Sequence, residues 1–314
     1  MKAVWNSAPA LFFLTGGLLG LNLPLAKVAA LAGVGPIAWS LVISGGAGLI
    51  LAAARAMGGS RGAPDGRELR FYAVSGLVSY ALPNLLMFSV MPQVGAGFTG
   101  LFYTLSPVCT LALAVALGVQ RTSRLGVAGI AVGFVGAAVV SASRGQLGQP
   151  AGLVWICLGL LVPVCLAAGN IYRTVAWPPG AHPIALAAGS NLAAAAMLGL
   201  LLAGMGGAGT AGLAEVPGLA AGLAEVPGLA AGLAEVPGLA ALQAAAAAAT
   251  FALFFRLQAV GGPVYLSQIG YVAAAVGLVA GVAFLGERYG LATWSGAGLI
   301  ALGVAMSTRA QRPG

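Results

Sequence analysis

The sequence predicts an all-α integral membrane protein of ten transmembrane helices, built as two inverted five-helix repeats with both termini cytoplasmic. Three observations predict it. Of 314 residues, 60% are hydrophobic and only 6% charged, whereas soluble domains carry about 25% charged residues; a water-facing surface cannot be made from this composition. The apolar runs are long, rich in Leu, Ala and Gly, and do not alternate. A hydrocarbon core about 30 Å thick takes about 20 such residues per helix, so the chain has room for ten spans and excludes a barrel. Finally, the chain repeats itself across its midpoint.

Taken in order, Pro, Gly and charge clusters cut the first half into spans near 9–32, 36–57, 70–91, 95–118 and 123–143. The second half divides near 150–174, 182–205, 240–260, 263–285 and 289–308. These breaks are the residues that end helices. Orientation follows from Lys and Arg. With the N-terminus inside, the cytoplasmic side holds Lys2, Arg55, Arg61, Arg67, Arg70, Arg121, Arg124, Arg173, Arg256, Arg309 and Arg312. The outer side keeps only Arg144 and Arg288, and Lys27 lies within span one. The net charge of +8 is therefore loop charge, not a nucleic-acid face.

Internal repetition sets the domain organisation, residues 1–148 and 149–314. Gly33-Val-Gly-Pro-Ile-Ala38 recurs as Gly180-Ala-His-Pro-Ile-Ala185 at an offset of 147 residues. Arg121, Gly129, Gly136 and Ala138 fall on Arg288, Gly296, Gly303 and Ala305 at an offset of 167. Because each half holds an odd number of spans, the second copy enters the membrane from the opposite side. The offset grows by 20 because residues 212–241 are three identical copies of Gly-Leu-Ala-Glu-Val-Pro-Gly-Leu-Ala-Ala, two more than the connection needs. Each copy carries a Pro-Gly break and a glutamate, so the array reads as an outside loop, and its identity points to recent duplication, natural or artificial, rather than function.

Little supports an enzyme. The one histidine, His182, sits beside Pro183 in a connection, and the six acids Asp65, Glu68, Glu215, Glu225, Glu235 and Glu287 fall in loops or at span ends. Neither an acid/base pair nor a metal site converges, no phosphate-cradling loop of the Gly-x4-Gly-Lys-[Ser/Thr] type is present, and no cofactor is expected. Cys109, Cys157 and Cys165 lie in apolar runs and read as small packing residues.

Function is expected where polar groups enter the spans, because each costs free energy in hydrocarbon. Span one carries Asn22, Pro24 and Lys27. Asn170 and Arg173 of span six fall on Asn22 and a position near Lys27 at an offset of 148, so two symmetry-related helices each hold an Asn and a cation. Spans three and four add Tyr80, Asn84 and Tyr103, and span nine adds Gln268 and Tyr271. The candidate substrate-binding set is thus Asn22, Lys27, Tyr80, Asn84, Tyr103, Asn170, Gln268 and Tyr271. The competing reading is interhelical packing for the amides and phenols and snorkelling for Lys27.

Gly20-Leu-Asn22-Leu-Pro-Leu-Ala-Lys27, Ser106-Pro107-Val108 and Leu285-Gly-Glu287-Arg288 resemble motifs of the drug/metabolite transporter superfamily, of the ten-span EamA type. A narrower likeness to its aromatic-amino-acid exporter branch rests on Val78-Ser79-Tyr80, on Tyr103 before Pro107, and on Gly270-Tyr271. Leu166-Ala-Ala-Gly-Asn170 departs from that branch, which places a tryptophan there, and Val119-Gln120 replaces the first-half glutamate. The resemblance implies a transporter in a bacterial-type inner membrane. It would export small metabolites by alternating access, with amino acids, and aromatic ones in particular, as cargo and the lipid bilayer as surroundings. Without a carboxylate deep in a span, a facilitator or exchanger is expected rather than a proton antiporter. The alternatives are a carrier of sugar phosphates or nucleotide conjugates, using Lys27 and Arg173, and a membrane sensor that moves nothing.

Overall fold

A computed structural model describes residues 5–58 except 33 and 35, 63–86 except 84, and 105–119, 123–143, 153–205, 235–285 and 290–310. Ten α-helices and no strands occur among them. They are α1 (Ala8–Leu31), α2 (Pro36–Met57), α3 (Gly66–Gly76, continued by a wider π turn at Leu77–Ala81), α4 (Ser106–Ala116) and α5 (Arg124–Ser143), then α6 (Leu153–Val175), α7 (Pro183–Met205), α8 (Pro237–Ser267), α9 (Ile269–Leu285) and α10 (Leu291–Ala310). Segments Ile37–Met57, Cys157–Val175, Pro183–Leu201 and Pro237–Ser267 are long and apolar enough to cross a membrane, and shorter apolar helical segments accompany them. Large apolar side chains stand outward, Leu49, Leu200 and Leu302 among them, while Ser40, Thr110, Asn170, Arg173, Asn191 and Gln258 are buried. Hydrocarbon outside and polar groups inside is the arrangement lipid demands of a spanning protein.

Local chemistry fixes the helix ends. Proline opens α2, α7 and α8, where its missing N–H costs nothing and its fixed φ suits the first turn. α3 begins with a capping box: Asp65 accepts from the Glu68 amide at 2.7 Å, and the Glu68 carboxylate accepts from the Asp65 amide at 3.2 Å. His182 has a similar local role, its Nδ1 accepting from the Ile184 amide at 3.3 Å where α7 starts. α8 continues past its own kink at Gly262, whose φ of 73° only glycine adopts freely, so that Pro263 starts a new helical direction. The sequence break between spans eight and nine lies at that kink.

Several helix pairings have a counterpart when the two halves are exchanged, α1 with α6, α2 with α7 and so on, whereas the contacts of α8 with α4, α6 and α7 have none of similar extent. α2 packs on α7 and α5 on α10; α1 on α9 is matched by α6 on α4, α1 on α8 by α6 on α3, and α2 on α8 by α7 on α3. The α5–α10 pair is the tightest. A β-carbon at Gly129 would lie 2.8 Å from the Gly303 carbonyl oxygen, and one at Gly136 would lie 2.7 Å from that of Gly296. Those two contacts are images of each other at the offset of 167. Gly16 and Gly20 serve α1 in the same way, their absent side chains making room for Val272, Ala273 and Val276 of α9.

One boundary needs correction. The array at 212–241 does not end as loop: Pro237–Ala241, the last half of its third copy, forms the first turns of α8. Val236, Leu239 and Ala240 pack against Ala29, Val34, Ala38 and Trp39, and this apolar contact is what draws the copy into the helix. The earlier part of the array lies outside the described residues. Because the copies are identical, removal of residues 222–241 leaves Pro217-Gly-Leu-Ala-Ala221 joined to Leu242, able to form the same turns. Such a deletion is expected to keep the melting temperature and transport of the full chain; loss of either would give the additional copies a structural role.

Candidate functional site

Among the described residues, the largest side chain with almost no solvent exposure is a cation, Arg173, at 1%. It stands in the last turn of α6. An arginine so near a span end ordinarily extends to the lipid headgroups. Here Cβ points back along the helix toward its N-terminus, as in any α-helix, and the guanidinium turns inward. The charge reading that placed Arg173 among the cytoplasmic loop cations is corrected accordingly.

Three helices receive it. Nη1 donates to the Ser79 hydroxyl of α3, and Nη2 donates to Asn170 Oδ1, one turn earlier on α6, at 2.6 Å. The guanidinium carbon lies 5.0 Å and 5.8 Å from the ring centroids of Phe254 and Phe255 on α8, a cation–π contact strengthened where water is excluded. Asn170 in turn donates to Thr110 of α4 at 3.3 Å, so one amide ties α4 to α6 and fixes the guanidinium. Gln258 of α8 donates to the Thr174 hydroxyl at 2.6 Å and to the Asn170 carbonyl at 3.2 Å.

The π turn explains why Ser79 and Tyr80 both face this cluster. Pro83 offers no N–H, and its ring would strike the Ser79 carbonyl in a regular helix. The chain widens just before it, with the Leu82 amide bonding five residues back to Leu77. Ser79, Tyr80 and Ala81 are then all buried, three consecutive residues that a regular helix would spread around its circumference. The Tyr80 ring meets Phe251 edge-on at 5.2 Å, and its phenol is within electrostatic reach of Arg173. From Phe251 the aromatic contacts run through Phe254 and Phe255 to Phe71, Tyr172 and Trp177. This continuous wall covers the guanidinium.

Three polar atoms in the cluster have no hydrogen-bond partner: Arg173 Nε, the Tyr80 hydroxyl and Gln258 Oε1. Two donors and an acceptor therefore stand ready in one buried place, an unfavourable arrangement when nothing meets them.

Of the sequence candidates, Tyr80 and Asn170 come together here. Gln268 and Tyr271 are buried one turn apart at the start of α9, where Gln268 donates to the Val264 carbonyl at 3.3 Å and Tyr271 to the Ile130 carbonyl at 3.4 Å. Val264 packs with Ala114, Ile130 and Ile171, so this second group adjoins the first through Ile171, the neighbour of Asn170. Asn84, Tyr103 and the side chains of Asn22 and Lys27 lie outside the described residues. Sequence reasoning missed Ser79, Thr110, Thr174, Gln258 and the three phenylalanines as site residues, and used Arg173 chiefly as loop charge. The Asn170-x-x-Arg173-Thr174 spacing, which stacks amide, cation and hydroxyl on one face, was the available signal.

Residues 7–142 match the EamA-like transporter family. The first half of the chain is thus similar to that family. The match supports a multi-pass membrane protein and a transporter of small molecules of the drug/metabolite transporter type. No curated protein matches it. A solved structure described as "Crystal structure of protein" is similar over 96% of this chain and 99% of its own, with a TM-score of 0.70 and 19% identity. At that identity the likeness shows the fold, and it extends through both halves.

Proposed function

We propose that this EamA-like protein exports aromatic amino acids across a bacterial-type inner membrane by alternating access between two inverted halves, residues 1–148 and 149–314. The observation that carries this reading is the chemistry collected around Arg173. An aromatic amino acid presents a carboxylate, an ammonium and a ring. The cluster offers unpaired donors in Arg173 Nε and the Tyr80 hydroxyl, an unpaired acceptor in Gln258 Oε1, and a wall of phenylalanine rings.

The helix pairings that recur on exchange of the halves support two related halves meeting at that cluster, and sites of inverted-repeat carriers lie where the halves meet. The aromatic wall lies over the guanidinium, so access past it requires Phe255 to part from Trp177 and Phe71. Among the described residues the acids are Asp65, Glu68 and Glu235, none within the cluster; a facilitator or exchanger fits this better than a proton-coupled pump.

Flux in liposomes tests the reading. Purified protein should release preloaded labelled phenylalanine with saturation and with competition from tyrosine and tryptophan. Absence of flux for all twenty amino acids would reject amino-acid export, and flux of sugar phosphates in their place would move the protein to the other metabolite class.

A further inference from the structure

We infer that the anionic group of the cargo is its principal recognition element, and that the site accepts monoanionic aryl carboxylates whether or not they carry an amino group. The inference deepens the function proposed above and rests on it only for the location of the site.

Arg173 is 1% exposed, and its guanidinium does not lose its proton in a protein. A buried cation is tolerated when a counter-charge meets it. No such partner is near among the described residues. Asp65 and Glu68 are occupied with each other's backbone at the start of α3, and Glu68 lies eleven residues before Ser79, roughly 16 Å along the helix. Glu235 is at the far end of α8, about 30 Å from Phe255. What the chain supplies is neutral: the Ser79 hydroxyl, the Asn170 amide oxygen and two ring faces.

These neutral partners leave one edge of the guanidinium open. Ser79 and Asn170 take one N–H from each terminal nitrogen, while Nε has no partner. The Tyr80 hydroxyl, on the residue next to Ser79, is also unpaired and has a proton to give. A carboxylate has two acceptor oxygens and one negative charge. It can take a charge-assisted bond from Nε and a second bond from the phenol, and it neutralises the site without excess. A phosphate monoester, close to a dianion at neutral pH, would leave one negative charge uncompensated beside the phenylalanine rings. The ammonium of an amino acid gains only Gln258 Oε1, a neutral acceptor, and contributes less.

Ligand-dependent melting of the purified protein, with phenylalanine, 3-phenylpropionate, phenethylamine and phenyl phosphate as probes, tests this. Phenylalanine and 3-phenylpropionate should raise the melting temperature with apparent affinities within about tenfold of each other, and phenethylamine should be without effect. Tyr80→Phe should weaken 3-phenylpropionate at least tenfold, the scale of a hydrogen bond to a charged group, and Arg173→Gln should abolish its binding. Equal binding of phenethylamine, tighter binding of phenyl phosphate than of 3-phenylpropionate, or undiminished binding by Tyr80→Phe would each overturn the inference. The wild-type probe series decides even if Arg173→Gln does not fold. The two proposals fail separately. Carboxylate binding with no amino-acid flux removes aromatic export alone, and phenylalanine flux with amine and acid bound alike removes the anion requirement alone.

Discussion

Gly303→Ala is expected to be among the most destabilising single substitutions outside the site, lowering stability by about 3 kcal/mol, the upper end of overpacking costs. The reason is that nothing beside Gly303 can move alone. Its β-carbon would meet the Gly133 nitrogen at 2.5 Å, the Gly129 carbonyl oxygen at 2.6 Å and the Gly133 α-carbon at 2.8 Å, all backbone of α5. Accommodation would push two 20-residue helices apart along their length, and apposed helices in lipid are held mainly by such close packing. Gly298 of the same helix has open space around it, so Gly298→Ala should leave the melting temperature within a degree or two. Gly136→Ala, whose β-carbon would meet the Gly296 oxygen and the Ile300 nitrogen at 2.7 Å, should cost about as much as Gly303→Ala. Thermal melts of the three variants check this. Near-equal melting for Gly303→Ala and Gly298→Ala would mean that the α5–α10 contact is dispensable.

That pair also shows why the fold was legible in the sequence. α2 and α7 start at Pro36 and Pro183, and α5 and α10 at Arg124 and Leu291, each within two residues of a break read from the sequence. Proline, paired glycines and charge are local punctuation, and a helix in lipid has no other way to satisfy its backbone. The boundary that failed, at Pro237, failed because the decapeptide's Pro-Gly reads as a break, whereas Val236 and Leu239 find an apolar surface on α1 and α2. Tertiary packing, invisible in ten residues, decided it.

The site was legible only in part, for a different physical reason. Tyr80 and Asn170 could be found because a phenol and an amide deep in a span need partners. Arg173 misled because a cation two residues from a helix end is, by default, one that reaches the headgroups; its true environment is set by Ser79, ninety-four positions away, and by rings on α8. Thr110, sixty residues from Asn170, and Gln258, eighty-four from Thr174, are likewise joined to the site only by the fold. Pro83 did carry a signal, since a proline four residues after Ser79 disturbs the helix there, but the inward turn of both Ser79 and Tyr80 depends on the neighbours the π turn meets.

Asn170→Asp is expected to separate stability from transport more sharply than any other change at the site. The substitution keeps the shape of the side chain and its place 2.6 Å from Arg173 Nη2, while adding the negative charge that the cluster lacks. The Thr110 hydroxyl, now accepting from the amide at 3.3 Å, can rotate to donate to the new carboxylate. A buried cation with a carboxylate in contact is far less costly than one without, so the melting temperature should hold or rise. Transport should nevertheless fall by two orders of magnitude or more, because the internal carboxylate occupies the charge that the cargo would use. Asn170→Leu supplies the contrast: it removes the bonds to both Arg173 and Thr110 and leaves the guanidinium worse satisfied, so stability should drop by about 3 kcal/mol, as when one partner of a buried charged group is deleted. Melting and liposome flux measured on both variants give four numbers. Normal flux in a well-folded Asn170→Asp protein would show that Arg173 does not meet the cargo. Loss of stability in that variant equal to that of Asn170→Leu would show instead that the amide's donor bond to Thr110, not the uncompensated charge, governs the cluster.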